Sequence, residues 1–188
     1  REHENFIGFA TMHQDFEDME GEIDRAIQLG LKGVKIHPDT QKVNMDDPRL
    51  MRLYEIIEGR LPIVIHTGDY RYDYSHPRRL KRILHTFPKL VVDAAHFGGW
   101  SVFDYALEYL EDENCYVDTS SALEFLGPRR TVEIARAYGI ERVMFGSDFP
   151  MWSPVNEYNM LAAMPFTEDE FEAITWHNAQ RFIGQKIK

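Results

Sequence analysis

The sequence predicts an α/β fold in which strands and helices alternate, arranged as a TIM-type (β/α)8 barrel of which six strand–helix units are present. Three observations support this prediction. Six apolar, β-branched-rich runs begin at residues 5, 33, 61, 90, 115 and 142, a spacing close to the ~30 residues of one βαβ unit. Stretches with helical periodicity lie between the runs. Polar side chains stand at the carboxyl ends of several runs, where barrel enzymes carry their functional groups.

The six predicted strands are short apolar runs rich in residues that favour β-structure. They read NFIGFATM (5–12), GVKIHP (33–38), LPIVIHTG (61–68), LVVDAAHFGG (90–99), CYVDTSSA (115–122) and RVMFGSDFP (142–150). Their alternation with helices predicts a parallel sheet with the helices outside. An open doubly wound sheet has the same element order, but no glycine-rich nucleotide-binding loop follows any run. The barrel is therefore favoured, although a full barrel takes about 250 residues and two units are missing here.

The helix between the second and third strands is predicted over 48–58, because Leu50, Leu53 and Ile57 share one face. Asp47 is its expected N-cap, and Pro48 occupies the first helical position, where the missing N–H costs nothing. Residues typical of helix ends predict three further helices. One begins near Ser75 and Pro77, and one over 129–138 ends at Gly139. A last helix begins with a Thr167–Glu170 capping box.

Composition narrows the functional classes. The formal net charge of -10 argues against a nucleic-acid or anionic-membrane surface. Cys115 is the single cysteine, so no internal disulfide can form and a cytoplasmic location is expected. No apolar run reaches the ~20 residues of a transmembrane helix. We expect one domain over residues 1–188, with no membrane or nucleic-acid partner.

Three polar residues at the strand ends predict a metal site. His66 ends the third run, His96 precedes Gly98–Gly99, and Asp148 stands before Pro150. Two imidazoles and a carboxylate suit zinc or another divalent transition metal, and a carboxylate beside the ion can move protons. The structural alternative is that each histidine is only a hydrogen-bonded strand end and that Asp148 caps a turn.

Further strand-end residues are candidates for substrate binding. His37 shares strand parity with Lys35, so both can face the interior. Ser120 can bind substrate or finish the strand ladder together with Asp118. Trp100 can form a pocket wall for an aromatic or planar substrate, or pack within its loop.

Taken together, GVKIHP, PIVIHTGD, DAAHFGG, YVDTSS, FGSDFP and the terminal HNAQRF resemble the amidohydrolase superfamily, in the amidohydrolase-related branch that includes aminocarboxymuconate-semialdehyde decarboxylase and resorcylate decarboxylases. The resemblance implies strands three to eight of a distorted barrel. It implies that His66 and Asp148 are metal ligands, that His96 activates water or polarises substrate, and that Asp148 also transfers protons. Asn178 and Arg181 would be structural residues of the closing helix.

The resemblance also implies two further metal ligands from an H-x-H pair at the end of strand one, which this sequence lacks; H-E-N at 3–5 is not that motif. The leading hypothesis is a metal-dependent hydrolase that attacks an amide, ester or lactone of a small substrate with activated water. One alternative is non-oxidative decarboxylation of a planar carboxylic acid. An alternative of another class is a metal-free barrel fragment that acts as a binding module. Members of the family often dimerise, so a homodimer is a mild expectation.

Overall fold

The computed structural model describes residues 6–184 and contains six strands, one inside each predicted run. The H-E-N stretch at 3–5 lies outside the described residues. Only two or three residues of each run have regular strand geometry, because the polar ends of the runs turn away into loops. The strands are β1 (Ala10–Thr11), β2 (Val34–Ile36), β3 (Ile63–Ile65), β4 (Val92–Ala94), β5 (Tyr116–Asp118) and β6 (Val143–Met144).

The sheet is entirely parallel and its strands follow one another in chain order, from β1 to β6. A doubly wound sheet reverses its strand order at a switch point. Here every connection moves one strand further in the same direction, as in a (β/α) barrel. The predicted barrel architecture, with six of its eight strands, is therefore confirmed.

Strand register explains why the polar strand ends meet. Ile36 pairs with Ile65, Ile65 with Ala94, and Ala94 with Val117, so these four buried residues form one row across the sheet. The next residue along each strand lies one step towards the carboxyl edge and points to the opposite face. On β2 and β3 that next residue is a histidine, and on β5 it is Asp118.

The helices cover the sheet between successive strands. They are α1 (Met19–Gln28), α2 (Pro38–Gln41), α3 (Pro48–Ile57), α4 (Pro77–Thr86), α5 (Phe103–Leu110), α6 (Leu123–Tyr138), α7 (Pro154–Ala162), α8 (Glu168–Glu172) and α9 (Asn178–Phe182). Their apolar faces pack on the strands in one continuous core. Within the described residues, no helix is both long and apolar enough to cross a membrane.

Helix ends follow the predicted capping residues with two differences. Asp47 caps α3 by accepting the Arg49 N–H at 2.9 Å, and both bonds of the Thr167–Glu170 capping box are present. The helix α4 begins at Pro77, in the predicted region, but its N-cap is His76, and the buried Ser75 hydroxyl donates to Asp39 instead.

The second difference concerns α6, which begins at Leu123 and not at residue 129. Gly127 has a φ of 68°, a left-handed conformation that glycine adopts at little cost, so two helical pieces join there. The helix ends at Gly139 as predicted, where φ is 91°.

The last helix is tied to β6 by a buried amide. Asn178 has no exposed surface, and its Nδ2 donates to the carbonyls of Ile140 at 2.6 Å and Val143 at 2.5 Å. Arg181 donates in turn to the Asn178 side chain. These bonds give both residues the structural position that the resemblance implies.

Candidate active site

A cavity of about 660 Å³ opens at the carboxyl ends of the strands. This volume lies within the range of small-molecule sites. Its walls combine histidines, carboxylates, cations and aromatic rings. They include five of the six predicted site residues, which are His37, His66, His96, Trp100 and Asp148. The sixth, Ser120, lies behind the wall.

His66 follows β3 directly and is the centre of the site. Its backbone N–H donates to the Ile36 carbonyl at 3.1 Å, which continues the β2–β3 ladder by one residue. Its ring is 10% exposed and stacks on the His37 ring, with centroids 3.8 Å apart. Its Nδ1 lies 3.0 Å from Nε2 of His96. The predicted convergence of the two imidazoles is therefore a direct contact.

His96 follows β4 in a left-handed conformation, with a φ of 63°. Such a conformation costs a non-glycine residue about 1–3 kcal/mol, and it occurs mostly at functional sites. The His96 N–H donates to Asp118 Oδ1 at 3.1 Å, and the ring Nδ1 lies 2.8 Å from Ser120 Oγ and 3.1 Å from the Ser120 carbonyl. Burial lowers the pKa of His96, the nearby Asp118 carboxylate opposing that effect. The ring is therefore neutral at neutral pH.

The acceptors around these rings decide where their protons lie. The Ser120 carbonyl can only accept, so Nδ1 of His96 carries the proton and Nε2 has a lone pair. Nδ1 of His66 must then donate to that lone pair. In a neutral His66 ring the remaining nitrogen, Nε2, has a lone pair of its own.

Asp39, at the start of α2, was not predicted as a site residue. It is 8% exposed, and its Oδ2 accepts the Ser75 hydroxyl at 2.6 Å and lies 3.2 Å from Nε2 of His66. The Asp39–His66 approach is too misaligned for a hydrogen bond, and both Nε2 of His66 and Oδ1 of Asp39 lack a hydrogen-bond partner among the described residues. The only signal in the sequence is the H-P-D spacing, which places Asp39 two residues after His37.

Three side chains around Asp39 could hold a metal ion. One donor atom each from His37, Asp39 and His66 lie within 4.8 Å of one another. Nε2 of His66 and Oδ1 of Asp39 are buried without a hydrogen-bond partner among the described residues, and a cation bound beside them would satisfy both. The orphaned donors therefore fit a divalent metal, and nitrogen and oxygen ligands of this kind suit zinc or manganese.

His37 is half-buried and also caps α2, because its Nδ1 accepts the Thr40 N–H at 3.3 Å. Burial lowers its pKa from 6.5 to about 4, and the neighbouring His66 adds to that effect. A neutral ring at physiological pH is what a metal or a hydrogen-bonding substrate requires.

Asp148 follows β6 with a φ of 58° and is exposed at the open side of the cavity. Its Oδ2 accepts the Ser121 hydroxyl at 2.8 Å, and that hydroxyl oxygen accepts the Trp152 indole N–H at 2.9 Å. Asp148 shares the cavity with His66 but is not one of the three clustered donors around Asp39. Its role as a metal ligand stays a prediction.

The remaining candidates divide between the cavity wall and the layer behind it. Trp100 is on the wall, and the Arg71 guanidinium lies 5.6 Å from its ring centroid. Ser120 is 4% exposed and bonds to His96 and Asp118, so the structure places it behind the imidazole and not on the substrate side.

In the sequence, Arg71 and Arg129 are both possible cations near the cavity mouth, but the pairing of Arg71 with Asp69 was not predicted. Arg71 is held by buried Asp69, whose two carboxylate oxygens accept from Nε and from Nη2 at 2.6 Å. This bond lowers the pKa of Asp69, so the pair stays ionised. The sequence spacing D-x-R could have indicated it.

Polar groups at the carboxyl end of a parallel barrel define the class of the protein as a TIM-barrel enzyme. The chain belongs to the amidohydrolase family, whose model matches residues 1–185. This confirms the resemblance found in the sequence motifs. A search of curated proteins found no match.

Solved structures share the fold. A 2,6-dihydroxybenzoate decarboxylase from Rhizobium is 18% identical with a TM-score of 0.77, and the match covers 95% of this chain and 71% of that one. A 5-carboxyvanillate decarboxylase from Sphingomonas paucimobilis is 22% identical with a TM-score of 0.75, covering 96% of this chain and 67% of that one. A dihydroxybenzoic acid decarboxylase from Polaromonas, with bound manganese and 2-nitroresorcinol, is 18% identical with a TM-score of 0.74, covering 95% and 69%. At these identities the likeness shows the fold alone.

Proposed function

We propose that this cavity binds a divalent transition metal and catalyses the non-oxidative decarboxylation of a planar aromatic carboxylic acid. The observation that carries the proposal is the contact of His66 with His96 beside the orphaned Asp39 carboxylate, inside a cavity that also contains unpaired cations and aromatic walls. Decarboxylases of aromatic acids with the same fold support this reaction over the hydrolysis that the sequence favoured.

The metal would be held by His66 and Asp148, as the motifs suggest, with Asp39 and His37 as additional donors beside His66. When bound, a divalent ion would act as a Lewis acid that holds and polarises substrate oxygens. Zinc and manganese both suit these ligands, and the manganese of the Polaromonas protein supports the latter.

Three cations and the three carboxylates of Asp39, Asp69 and Asp148 line the cavity, so a bound divalent ion would make it net positive and favour an anionic substrate. Lys35 and Lys42 line it, and neither makes an ion pair with any residue in the described range. Arg71 adds a third cation, whereas Arg129, the other candidate in the sequence, pairs with Glu133 on the surface. Unpaired cations in a partly enclosed cavity raise the local concentration of anions. A carboxylate substrate is therefore favoured over a neutral amide or ester.

Aromatic side chains favour a planar ring. Trp100 and Trp152 line the cavity, and both meet the Phe125 ring edge to face, at centroid distances of 6.4 and 6.0 Å. Aromatic surfaces of this kind bind flat rings by stacking and apolar contact. Trp100 is the residue that we assign to this contact, together with the exposed edge of His37.

Decarboxylation requires proton transfer to carbon. The bond between the ring and the carboxylate carbon breaks, carbon dioxide leaves, and the electron pair stays on the ring carbon. Asp148 would pass on the proton that this carbon takes up, so that R–COO⁻ and one proton give R–H and carbon dioxide. Nε2 of His96 accepts the N–H of His66, so it would accept a proton from a ring hydroxyl only after that bond is broken.

Hydrolysis is the second candidate, because the chain belongs to a family described as amidohydrolases. The same His96 and Asp148 could deprotonate a water molecule for attack on an amide, ester or lactone. The two reactions differ in their products. Carbon dioxide release and hydrolytic product formation, followed with the wild-type protein over a panel of aromatic acids, lactones and anilides, distinguish them.

Metal analysis tests both enzyme hypotheses together. We expect one to two transition-metal ions per chain by elemental analysis and complete loss of activity after chelation. His66→Ala should lose the metal and the activity, whereas the matched control His85→Ala, which changes an exposed histidine paired with Glu113, should retain both. A metal-free wild type that binds aromatic acids without converting them would instead support the binding-module alternative. A homodimer and a cytoplasmic location stay predictions.

A further inference from the structure

Two adjacent serines, Ser120 and Ser121, follow β5 and bond to different groups of the site. Ser120 contacts His96, which lies in the loop after β4, and Ser121 contacts Asp148, which lies in the loop after β6. Ser121 has a φ of 52°. This left-handed residue turns the chain so that two successive hydroxyls reach opposite neighbouring strands.

Ser120 links His96 to a buried carboxylate. Its hydroxyl donates to Asp118 Oδ1, which also accepts the Ser120 N–H at 2.8 Å and the His96 N–H at 3.1 Å. A hydroxyl has one proton, and the carboxylate can only accept it. The Ser120 oxygen is therefore an acceptor towards Nδ1 of His96, 2.8 Å away.

This arrangement determines which nitrogen of His96 carries the lone pair. The Ser120 hydroxyl donates to Asp118, and its oxygen accepts the Nδ1–H of His96. Nε2 of His96 is therefore unprotonated, and it lies 3.0 Å from Nδ1 of His66. The same bonds place the proton of His66 on Nδ1 and its lone pair on Nε2, towards Asp39. The Ser120 hydroxyl oxygen thus acts together with the Ser120 carbonyl, 3.1 Å from Nδ1 of His96, in holding the proton positions of two imidazoles.

Ser121 holds the Asp148 carboxylate by a similar pair of hydrogen bonds. The Trp152 indole can only donate, so its N–H bonds to the Ser121 oxygen at 2.9 Å, and the Ser121 proton goes to Asp148 Oδ2 at 2.8 Å. One oxygen of the exposed Asp148 carboxylate is thereby fixed, and the other is free for a ligand or a proton.

We propose that Ser120 and Ser121 are paired positioning residues, Ser120 for His96 and Ser121 for Asp148. The proposal rests on the proposed function for the roles of His96 and Asp148, and it gives Ser120 a role behind the imidazole in place of substrate binding. Hydrogen-bonding partners of this kind typically contribute 10- to 100-fold to activity or metal affinity.

The first test is NMR of ¹⁵N-histidine-labelled protein, metal-free and loaded with diamagnetic zinc. Wild type should show His96 protonated at Nδ1. In Ser120→Ala the backbone carbonyl still accepts from Nδ1, so the proton should stay on Nδ1 while the Nδ1–H signal moves, and Ser120→Thr, which keeps a hydroxyl, should return that signal to its wild-type position. The matched control is Thr119→Val, which removes a neighbouring buried hydroxyl that bonds only to the Gly146 backbone and should leave the His96 ring signals unchanged.

The second test is kinetic, on an aromatic acid that the wild type decarboxylates. Ser120→Ala should lower kcat about 10- to 100-fold with KM within about threefold, and Ser120→Thr should recover most of the loss. Ser121→Ala should lower kcat comparably, move the Trp152 indole N–H signal, and leave the His96 tautomer as in wild type.

Specific results would overturn the proposal. They are His96 ring signals unchanged in Ser120→Ala, an equal change in Thr119→Val, or a rise in KM alone, which would return Ser120 to substrate binding. If no aromatic acid is turned over by the wild type, the proposed function fails, while the His96 ring signals still decide the role of Ser120.

Discussion

Gly68 lies where the two loops that carry His66 and His96 touch. Its replacement by alanine should lower the free energy of unfolding for two reasons, which are overlap with neighbouring backbone atoms and a left-handed conformation. Gly68 has a φ of 77°, and a Cβ built on it would lie 2.5 Å from Gly99 Cα and 2.8 Å from the Trp100 nitrogen. Both atoms are backbone, so no side-chain rotation relieves the overlap. The Trp100 N–H also donates to the Thr67 carbonyl at 2.8 Å, which holds the loops together at this point.

The expected cost has two parts. A left-handed conformation costs a residue with a Cβ about 1–2 kcal/mol, and overpacking against atoms that must shift costs about 1–3 kcal/mol. Gly59 provides the control, because its φ is 71° and nothing lies within 4 Å of its Cβ position. Gly59→Ala should therefore show the first part alone. Gly68→Ala should destabilise the protein by about 2–5 kcal/mol, the sum of both parts.

Urea unfolding followed by circular dichroism measures both variants. The entropic gain of replacing glycine in the unfolded chain is the same in each, so it cancels in the comparison. The difference of about 1–3 kcal/mol corresponds to a Tm difference of about 2–4 °C for each kcal/mol in a chain of this size. Equal free energies of unfolding for Gly68→Ala and Gly59→Ala would refute the reasoning that the His66 and His96 loops are locked by backbone contact.

Two further predictions concern the closing helix and the pH dependence of stability. Asn178→Ala removes the amide donor to the Val143 carbonyl and one of two donors to the Ile140 carbonyl, which also accepts the Val143 N–H. It should lower the free energy of unfolding by about 1–3 kcal/mol, whereas Asn159→Ala on the exposed face of α7 should change it little. Equal effects in urea titrations would contradict a structural role for Asn178. Burial lowers the pKa of His37 to about 4 from 6.5, so the unfolded chain takes up a proton in this window that the folded chain does not. The free energy of unfolding of the metal-free protein should therefore fall as the pH drops from 6.5 to about 4. In His37→Gln this fall should be smaller. A pH profile of the urea midpoint that is unchanged in His37→Gln would exclude this contribution.

Much of the fold follows from the sequence because its signals are local. The regular spacing of the six apolar runs predicts one strand–helix unit after another, and Asp47 and Thr167 cap their helices through atoms two or three residues away. The start of α4 is different. Ser75 has a capping residue's chemistry, but its hydroxyl is used by Asp39, which is 36 positions away in the sequence.

The sequence by itself determined that His66, His96 and Asp148 stand at strand ends, because strand ends of a parallel sheet lie at one edge. Only the tertiary structure decided what each side chain does there. Asp39 faces His66 because α2 folds back over β3, and no spacing within its own segment requires this. The left-handed turns at His96, Ser121 and Asp148 aim their side chains across neighbouring loops. Long-range contacts of this kind depend on how neighbouring strands and their loops pack side by side, which a pattern along the chain does not contain.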